Sequence, residues 1–313
     1  MTEWPLWLET LLQTLATGIL VGGTYALMCV GLGLIFGVMR VINFAQGEFL
    51  MLGMYAAFYL YTGLGFQALV GPYVGPILAA FLAGPIAFVA AWFLHLLLMS
   101  RVSGTAARDA AAEGHHAQLV LTLGIALVLQ NGGLIVFGSM PQSIRTPLSN
   151  EAWELGPVLL NESRVVAFLV AVGLSLLLYL FMNRSPLGKT LRAAADNVDA
   201  AIYVGVDVNR VYRLAFSIGI ALTAVAGGLV AMYYPFQPYV GLEFVIIMYT
   251  GVVLGGMGSI LGAFWGGMTI GLVQQLSTLV LPIQLQNTAI FVVFLVIVMF
   301  RPQGLFGRIA ERT

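Results

Sequence analysis

Long apolar segments are the feature of this sequence that most limits how it can fold. A helix that crosses a membrane needs about 20 mostly apolar residues. Nine segments meet or approach that length, at residues 10–39, 48–62, 77–99, 118–138, 165–182, 213–232, 244–257, 259–280 and 286–300. Only 8% of the residues are charged, against about 25% in an ordinary soluble domain. Lipid must therefore surround most of this chain.

Lipid restricts the secondary structure, because every backbone polar group must find its partner within the protein. The sequence lacks the long polar–apolar alternation of a barrel, so helices remain. It predicts an all-α integral membrane protein, a bundle of about eight to ten transmembrane helices, forming a single domain over residues 1–313. The short segment 244–257 ends in a cluster of glycines, a pattern that predicts broken or re-entrant helices.

The positions of the basic residues predict the orientation, since cytoplasmic connections retain Lys and Arg. Of the 13 Lys and Arg residues, all but Arg145 and Arg164 fall in alternate connections or near the C-terminus. This bias predicts an N-terminus outside and a C-terminus in the cytoplasm. An odd number of crossings is then required, and nine fits the charges.

Two connections are long enough to have a role of their own. We call residues 139–163 the outer connection and residues 183–213 the inner connection. The inner connection is the most polar stretch of the chain, and Ser185 followed by Pro186 can start a helix there. A short helix over about 189–201, rich in small residues and ended by Gly205, predicts a docking element for another protein. A solvated loop with one helical turn is the alternative.

A weak internal symmetry also appears. Gly47-Glu48 opens one apolar segment, and Gly241-Leu242-Glu243 opens another in the second half. Each acid would lie in the first turn of a helix, where the helix dipole favours negative charge. Inverted repeats place such helices beside a transport pathway, so the pattern suggests an inverted repeat.

Other chemistries find no support in the sequence. Gly188-Lys189-Thr190 is not a P-loop, because Asn183 stands where the first glycine is needed. Three histidines and one cysteine do not have the spacing of a metal site, so no metal or cofactor is expected, and no catalytic constellation is visible. Zero net charge argues against nucleic-acid binding. Few ionisable residues lie in the spans, which disfavours an ion-coupled carrier.

Four sequence blocks resemble the branched-chain amino acid ABC permease family. They occur in the family's order and cover nearly the whole chain. The N-terminal block and the length resemble the first of the family's two permease types, although Gln46 stands where His is common. The blocks are the Asn-Phe-Ala-Gln-Gly-Glu run at 43–48 with its preceding glycines, the inner connection, the glycine-rich run 251–263 and the Arg-Pro-Gln-Gly-Leu-Phe-Gly run at 301–307.

The resemblance implies a non-catalytic permease subunit of an ATP-driven importer in the bacterial inner membrane. Its implied partners are a second, homologous permease subunit, two cytoplasmic ATPase subunits that hydrolyse the ATP, and a periplasmic solute-binding protein. Branched-chain or other hydrophobic amino acids are the expected solutes, with urea, short amides or aromatic acids as the alternative. A secondary carrier or channel without an ATPase would be the alternative machine.

Two groups of residues are predicted to carry this function. Loop polarity and the resemblance together suggest a surface that couples to the ATPase, consisting of Leu187, Gly188, Arg192, Ala194, Asp196, Ala200 and Gly205. An amide and a carboxylate beside a helix break can bind a passing zwitterion, and glycine allows close backbone approach. We therefore expect the substrate pathway to include Asn43, Phe44, Gln46, Gly47 and Glu48. The alternative is that Asn43 and Glu48 only stabilise the start of a helix.

Overall fold

The computed structural model describes residues 5–102, 113–301 and 303–306. Within these residues the chain forms thirteen α-helices and one short β-hairpin. The helices are α1 Leu6–Met39, α2 Gln46–Thr62, α3 Phe66–Leu69, α4 Gly75–Leu97, α5 Glu113–Phe137, α6 Pro147–Asn150, α7 Glu162–Arg184, α8 Pro186–Asp196, α9 Val198–Tyr203, α10 Val208–Val230, α11 Val240–Gly255, α12 Ile260–Ser277 and α13 Gln286–Phe300. The strands are β1 Ala152–Leu155 and β2 Val158–Asn161.

The nine longest described helices coincide with the nine apolar segments, which confirms the all-α membrane fold. Five are long and apolar enough to cross a membrane by length and composition, namely Leu6–Met39, Gly75–Arg101, Ala117–Phe137, Glu162–Arg184 and Val208–Val230. Helices α11 and α13 are shorter but also apolar. The glycine cluster after α11 ends this helix rather than interrupting it, because Gly256 has a φ of 103° that a helix cannot continue through. The chain is a multi-pass membrane protein.

Helix α1 lies at the centre of the bundle. In its most apolar 18-residue window 89% of the residues are buried, against 28% in the windows of α4 and α5. It packs against α7, α10, α11 and α12. Glycines bring the backbones together: Gly22 lies against the backbone of Met268, and Gly267 against that of Ala26. In lipid no hydrophobic force drives helices together, so their association depends on close packing, which small residues of this kind allow.

The helix contacts follow the repeat suggested by the sequence. Helices α2 and α4 pack together as α11 and α12 do, and α1 packs on α12 as α10 packs on α4. The two halves meet at Gly31 and Gly219, each beside the other's carbonyl oxygen. Thr24, earlier in α1, bonds to Tyr233, after the end of α10, at 2.9 Å. Helices α1 and α10 are therefore antiparallel, as an inverted repeat requires.

The inner connection contains two helices where one was predicted. Ser185 caps α8 as expected, accepting a hydrogen bond from the backbone N–H of Gly188 at 2.9 Å. The single helix over 189–201 is wrong, because Asn197 is extended (φ −150°, ψ 106°). Its side chain accepts a hydrogen bond from the N–H of Ala200 at 3.0 Å and starts α9. Gly205 follows the end of α9 with a φ of 85°, as a helix terminator does.

The glycine-rich run and the C-terminal run, singled out separately in the sequence, lie together. The N–H of Leu305 donates to the carbonyl of Leu254 at 2.8 Å, and that of Phe306 donates to Gly255 at 3.0 Å. These bonds satisfy carbonyls that the end of α11 would otherwise leave unpaired. Gly255 and Gly262 lie so close that a Cβ on either would overlap the other's carbonyl. Both runs thus fix how α11 turns into α12.

Candidate functional site

The break between α1 and α2 is built from a backbone turn and an asparagine. Arg40 ends α1 with a φ of 54°, and it is the only described non-glycine residue with positive φ. Asn43 then accepts a hydrogen bond through Oδ1 from the N–H of Ala45 at 3.2 Å, directly before α2 starts. Asn43 therefore fixes the turn that precedes α2, whose first turn has no side-chain cap.

A chain of buried amides and hydroxyls connects this break to α10. Asn43 Nδ2 donates to Gln46 Oε1 at 2.9 Å, and Gln46 Nε2 donates to Thr223 Oγ1 at 2.6 Å. Thr223 in turn donates to the carbonyl of Gly219 at 3.0 Å. These side chains are at most 1% exposed. Buried polar groups in a membrane protein need such partners, and here the partners join the two halves of the repeat.

Glu48 lies where the two halves meet a second time. Gly47 and Gly241 are in contact, since a Cβ on Gly47 would overlap the carbonyl of Gly241. A Cβ on Gly241 would lie 2.6 Å from Glu48 Oε1. Glu48 is 2% exposed, and its Oε2 has no hydrogen-bond partner among the described residues. An unpaired acid inside a membrane protein is costly, which makes Glu48 a candidate site residue.

Four of the five predicted pathway residues thus form one buried cluster. Phe44 differs, because its side chain is 41% exposed and faces the ring of Tyr249 at 5.8 Å. Two residues that contact this cluster are not among the predicted pathway residues: Thr223, which no sequence pattern indicates, and Gly241, which the internal symmetry indicates. In this conformation the contact of Gly47 with Gly241 closes the space beside Glu48.

The predicted coupling residues divide between two faces. Gly188 and Ala194 are buried, and Gly188 packs against the backbone of Met182 in α7. Buried small residues of this kind hold α8 onto the bundle and cannot touch a partner in this conformation. The exposed face carries the remaining five predicted residues, Leu187, Arg192, Asp196, Ala200 and Gly205.

Three apolar residues at the end of α9 were missed. Ile202 is 37% exposed, Tyr203 is 87% exposed and Val204 is 77% exposed. The sequence signal that could have indicated them is the occurrence of three large apolar residues in the most polar connection of the chain. Large exposed apolar side chains next to charged ones are typical of a surface that a partner covers.

A cavity of about 350 Å³ lies between the inner connection and the end of α1. It is lined by Met39 and Arg40 on one side and by Ala194, Asp196 and Asn197 on the other. The α8–α9 pair therefore leaves an open cleft beside the end of α1 in this conformation. In the part of the chain that the structure describes, no three His, Cys, Asp or Glu residues are grouped as metal ligands would be.

Comparison with known proteins agrees with this architecture over nearly the full length. The family model for the branched-chain amino acid transport system permease component matches residues 14–300. The chain is 32% identical over 306 residues to the high-affinity branched-chain amino acid transport system permease protein BraD of Pseudomonas aeruginosa. The aligned residues make up 95% of this chain and 96% of BraD.

Two further relatives show how far the similarity extends. The corresponding permease protein LivH of Escherichia coli K12 is 30% identical over 303 residues, covering 95% of this chain and 96% of LivH. The autoinducer 2 import system permease protein LsrC of an Enterobacter species is 35% identical over 155 residues, 46% of this chain. No solved structure matches the chain. With a family model matched across nearly all of its helices, this chain belongs to the branched-chain amino acid transport system permease family.

Proposed function

We propose that this chain is the membrane-spanning permease subunit of an ATP-driven importer of branched-chain amino acids. The full-length similarity to two permease proteins of high-affinity branched-chain amino acid transport systems is the observation that carries this proposal. The chain itself is proposed to be non-catalytic. Its partners would be a second, homologous permease subunit, two ATPase subunits and a solute-binding protein.

Coupling to the ATPase would occur through the exposed face of α8 and α9. Arg192 and Asp196 offer charges, while Leu187, Tyr203 and Val204 offer apolar surface. Ser185 and Asn197 cap the two helices and so hold these side chains in a fixed arrangement. Closure of the ATPase subunits would move α8 and α9, for which the cavity beside Arg40 leaves room.

The pathway would open beside Glu48. Separation of Gly47 from Gly241 would give a solute access to Glu48 and to the amides of Asn43 and Gln46. A carboxylate suits the ammonium group of an amino acid, and an amide can donate to its carboxylate. A shift of a few kcal/mol between inward- and outward-open states is enough for each transport step.

Reconstituted uptake tests this function. The complex purified through this subunit is expected to contain an ATPase and, in liposomes supplied with a binding protein, to take up leucine, isoleucine or valine only with ATP. ATP-dependent uptake of urea, short amides or aromatic acids instead would support the importer function and replace the proposed substrate. A complex without any ATPase would contradict the proposal and favour a secondary carrier.

The orientation proposed from the basic residues has its own test. We propose that the N-terminus lies outside and the C-terminus in the cytoplasm of the inner membrane. The described structure offers an exposed position on each connection outside the proposed docking surfaces, Met140 and Arg210, and the native Cys29 is buried. A membrane-impermeant maleimide should label a Met140→Cys variant in intact cells and an Arg210→Cys variant only after permeabilisation. The reverse pattern would invert the proposed topology.

A further inference from the structure

We propose that the hairpin β1–β2 is the docking surface for the solute-binding protein, and that it meets a basic surface on that partner. Docking would act on the pathway through hydrogen bonds that tie the outer connection to segment 231–239. This inference rests on the proposed importer function. It assigns a role to the outer connection, whose structure the apolar pattern of the sequence does not reveal.

The hairpin presents large apolar side chains that the described chain leaves uncovered. Trp153 is 50% exposed, Leu155 is 59% exposed and Leu159 is 54% exposed. The strands pair in antiparallel register from Ala152 with Asn161 to Leu155 with Val158, so Trp153 and Leu155 share one face of the hairpin and Leu159 lies beside Glu154 on the other. Aromatic residues surrounded by polar ones are enriched at the centres of protein interfaces.

The charge of the outer connection indicates the partner's chemistry. Residues 139–163 contain three acids, Glu151, Glu154 and Glu162, and one base, Arg145, which gives three minus one or two net negative charges. Glu151 and Glu154 flank the exposed Trp153 and are themselves exposed. Complementary charge steers a diffusing partner to its site. A binding protein that docks here would therefore contact both exposed faces of the hairpin, with apolar surface against Trp153 and Leu155 and with Lys or Arg against Glu154.

The hairpin is held in place although a two-stranded hairpin alone is at best marginally stable in water. The side-chain amide of Gln13 in α1 accepts from the N–H of Leu159 at 2.7 Å and donates to its carbonyl at 2.8 Å. Tyr73 donates to Glu151 at 3.2 Å. These bonds hold the hairpin in place before any partner arrives.

A continuous route of hydrogen bonds leads from the hairpin to segment 231–239. Asn161 Nδ2 donates to the carbonyl of Ser149 at 2.9 Å, and Ser149 Oγ donates to the carbonyl of Met232 at 2.7 Å. Gln142 and Phe236 exchange two backbone hydrogen bonds, at 2.8 and 2.9 Å. Segment 231–239 leads into α11, whose Gly241 touches Gly47. Displacement of the outer connection would therefore pull on the helix that closes the candidate pathway.

Stimulation of ATP hydrolysis by a branched-chain amino acid-binding protein tests the docking surface. For Trp153→Ala and Glu154→Lys, we expect the binding-protein concentration at half-maximal stimulation to rise at least about tenfold, with basal hydrolysis unchanged. Glu154→Asp keeps the negative charge and should keep the wild-type half-maximal concentration. Leu69→Lys adds a positive charge at another exposed position, the end of α3, and should have no effect. Added salt should weaken the wild-type interaction more than that of Glu154→Lys.

The outcomes separate the two proposals. If the wild-type complex contains no ATPase or no binding protein stimulates it, the importer function itself fails. If stimulation occurs but the hairpin variants keep the wild-type half-maximal concentration, only the docking surface fails. If Trp153→Ala lowers the stability of the complex but leaves the half-maximal concentration unchanged, Trp153 anchors the hairpin in lipid and does not contact the binding protein.

A disulfide tests the route. The hydrogen-bonded pairing of Gln142 with Phe236 gives the Cα separation that a disulfide needs. In the double variant Gln142→Cys, Phe236→Cys, which already lacks the buried Phe236 ring, oxidation should leave binding-protein affinity intact and reduce stimulated hydrolysis at least about tenfold relative to the same variant kept reduced by a reductant. The same reductant on the wild type, whose single Cys29 is buried, is the control. Full stimulation with the disulfide formed would overturn the route.

Discussion

A Tyr203→Ala variant should lose ATP-driven uptake because the ATPase subunit no longer stays bound. Tyr203 is 87% exposed and Val204 beside it 77% exposed, at the end of a capped helix. Truncating an aromatic residue at the centre of an interface costs about 2 kcal/mol or more, which weakens association roughly 30-fold. The measurement is the amount of ATPase that co-purifies at low concentration, together with ATP-dependent uptake.

The control for this variant is Phe300→Ala. Phe300 is 75% exposed at the end of α13, and we propose that it faces lipid on the same side of the membrane. This variant removes comparable apolar surface without touching α8 or α9, and it should retain both ATPase and uptake. If Tyr203→Ala kept its ATPase while both variants behaved alike, the end of α9 would be a membrane-contacting surface and coupling would have to lie elsewhere.

A Glu48→Gln variant should fold normally and lose transport. The substitution keeps the shape of the side chain while removing the charge proposed to meet the solute's ammonium group. A hydrogen bond to a charged group contributes about 1.5–3 kcal/mol, so uptake at low solute concentration should fall roughly 10- to 150-fold. Thermal unfolding of the purified complex should be unchanged or shifted upward, because the amide is less costly to bury than an unpaired carboxylate.

Glu243→Gln is the matched control, since Glu243 also lies in the first turn of its helix, in the other half of the repeat. Its Oε2 accepts a hydrogen bond from Tyr234 at 3.2 Å, and its side chain is partly exposed. An acid with this environment is not proposed to meet the solute, so uptake should change little. Full uptake by Glu48→Gln would remove the pathway role and leave Glu48 with only a structural one.

The repeat shows where a short sequence pattern was informative and where it was not. Gly47 and Gly241 each stand at the start of an apolar segment in the sequence, but only the folded chain brings them into contact. Their approach depends on how α2 and α11 cross, which many distant residues decide together. Thr223 illustrates the limit, because nothing around it in the sequence predicts its bond to Gln46, 177 residues earlier.

The coupling region shows the same division at closer range. Ser185 and Pro186 predicted the start of α8 because capping depends on adjacent residues only. The sequence could not say that Gly188 and Ala194 face the bundle, since a small residue suits either a docking surface or a close helix contact. That choice is made by the backbone of α7, against which Gly188 packs.

By itself, the sequence determined that this chain is a membrane-embedded helical bundle, because apolar length, charge scarcity and capping residues are local properties that lipid acts on directly. The positions of the nine long helices and the family resemblance followed from it. The tertiary structure alone decided which polar residues are buried together, which face of α8 is free, and that the outer connection forms a hairpin tied to segment 231–239. Those features depend on contacts between residues far apart in the chain, for which local sequence carries no signal.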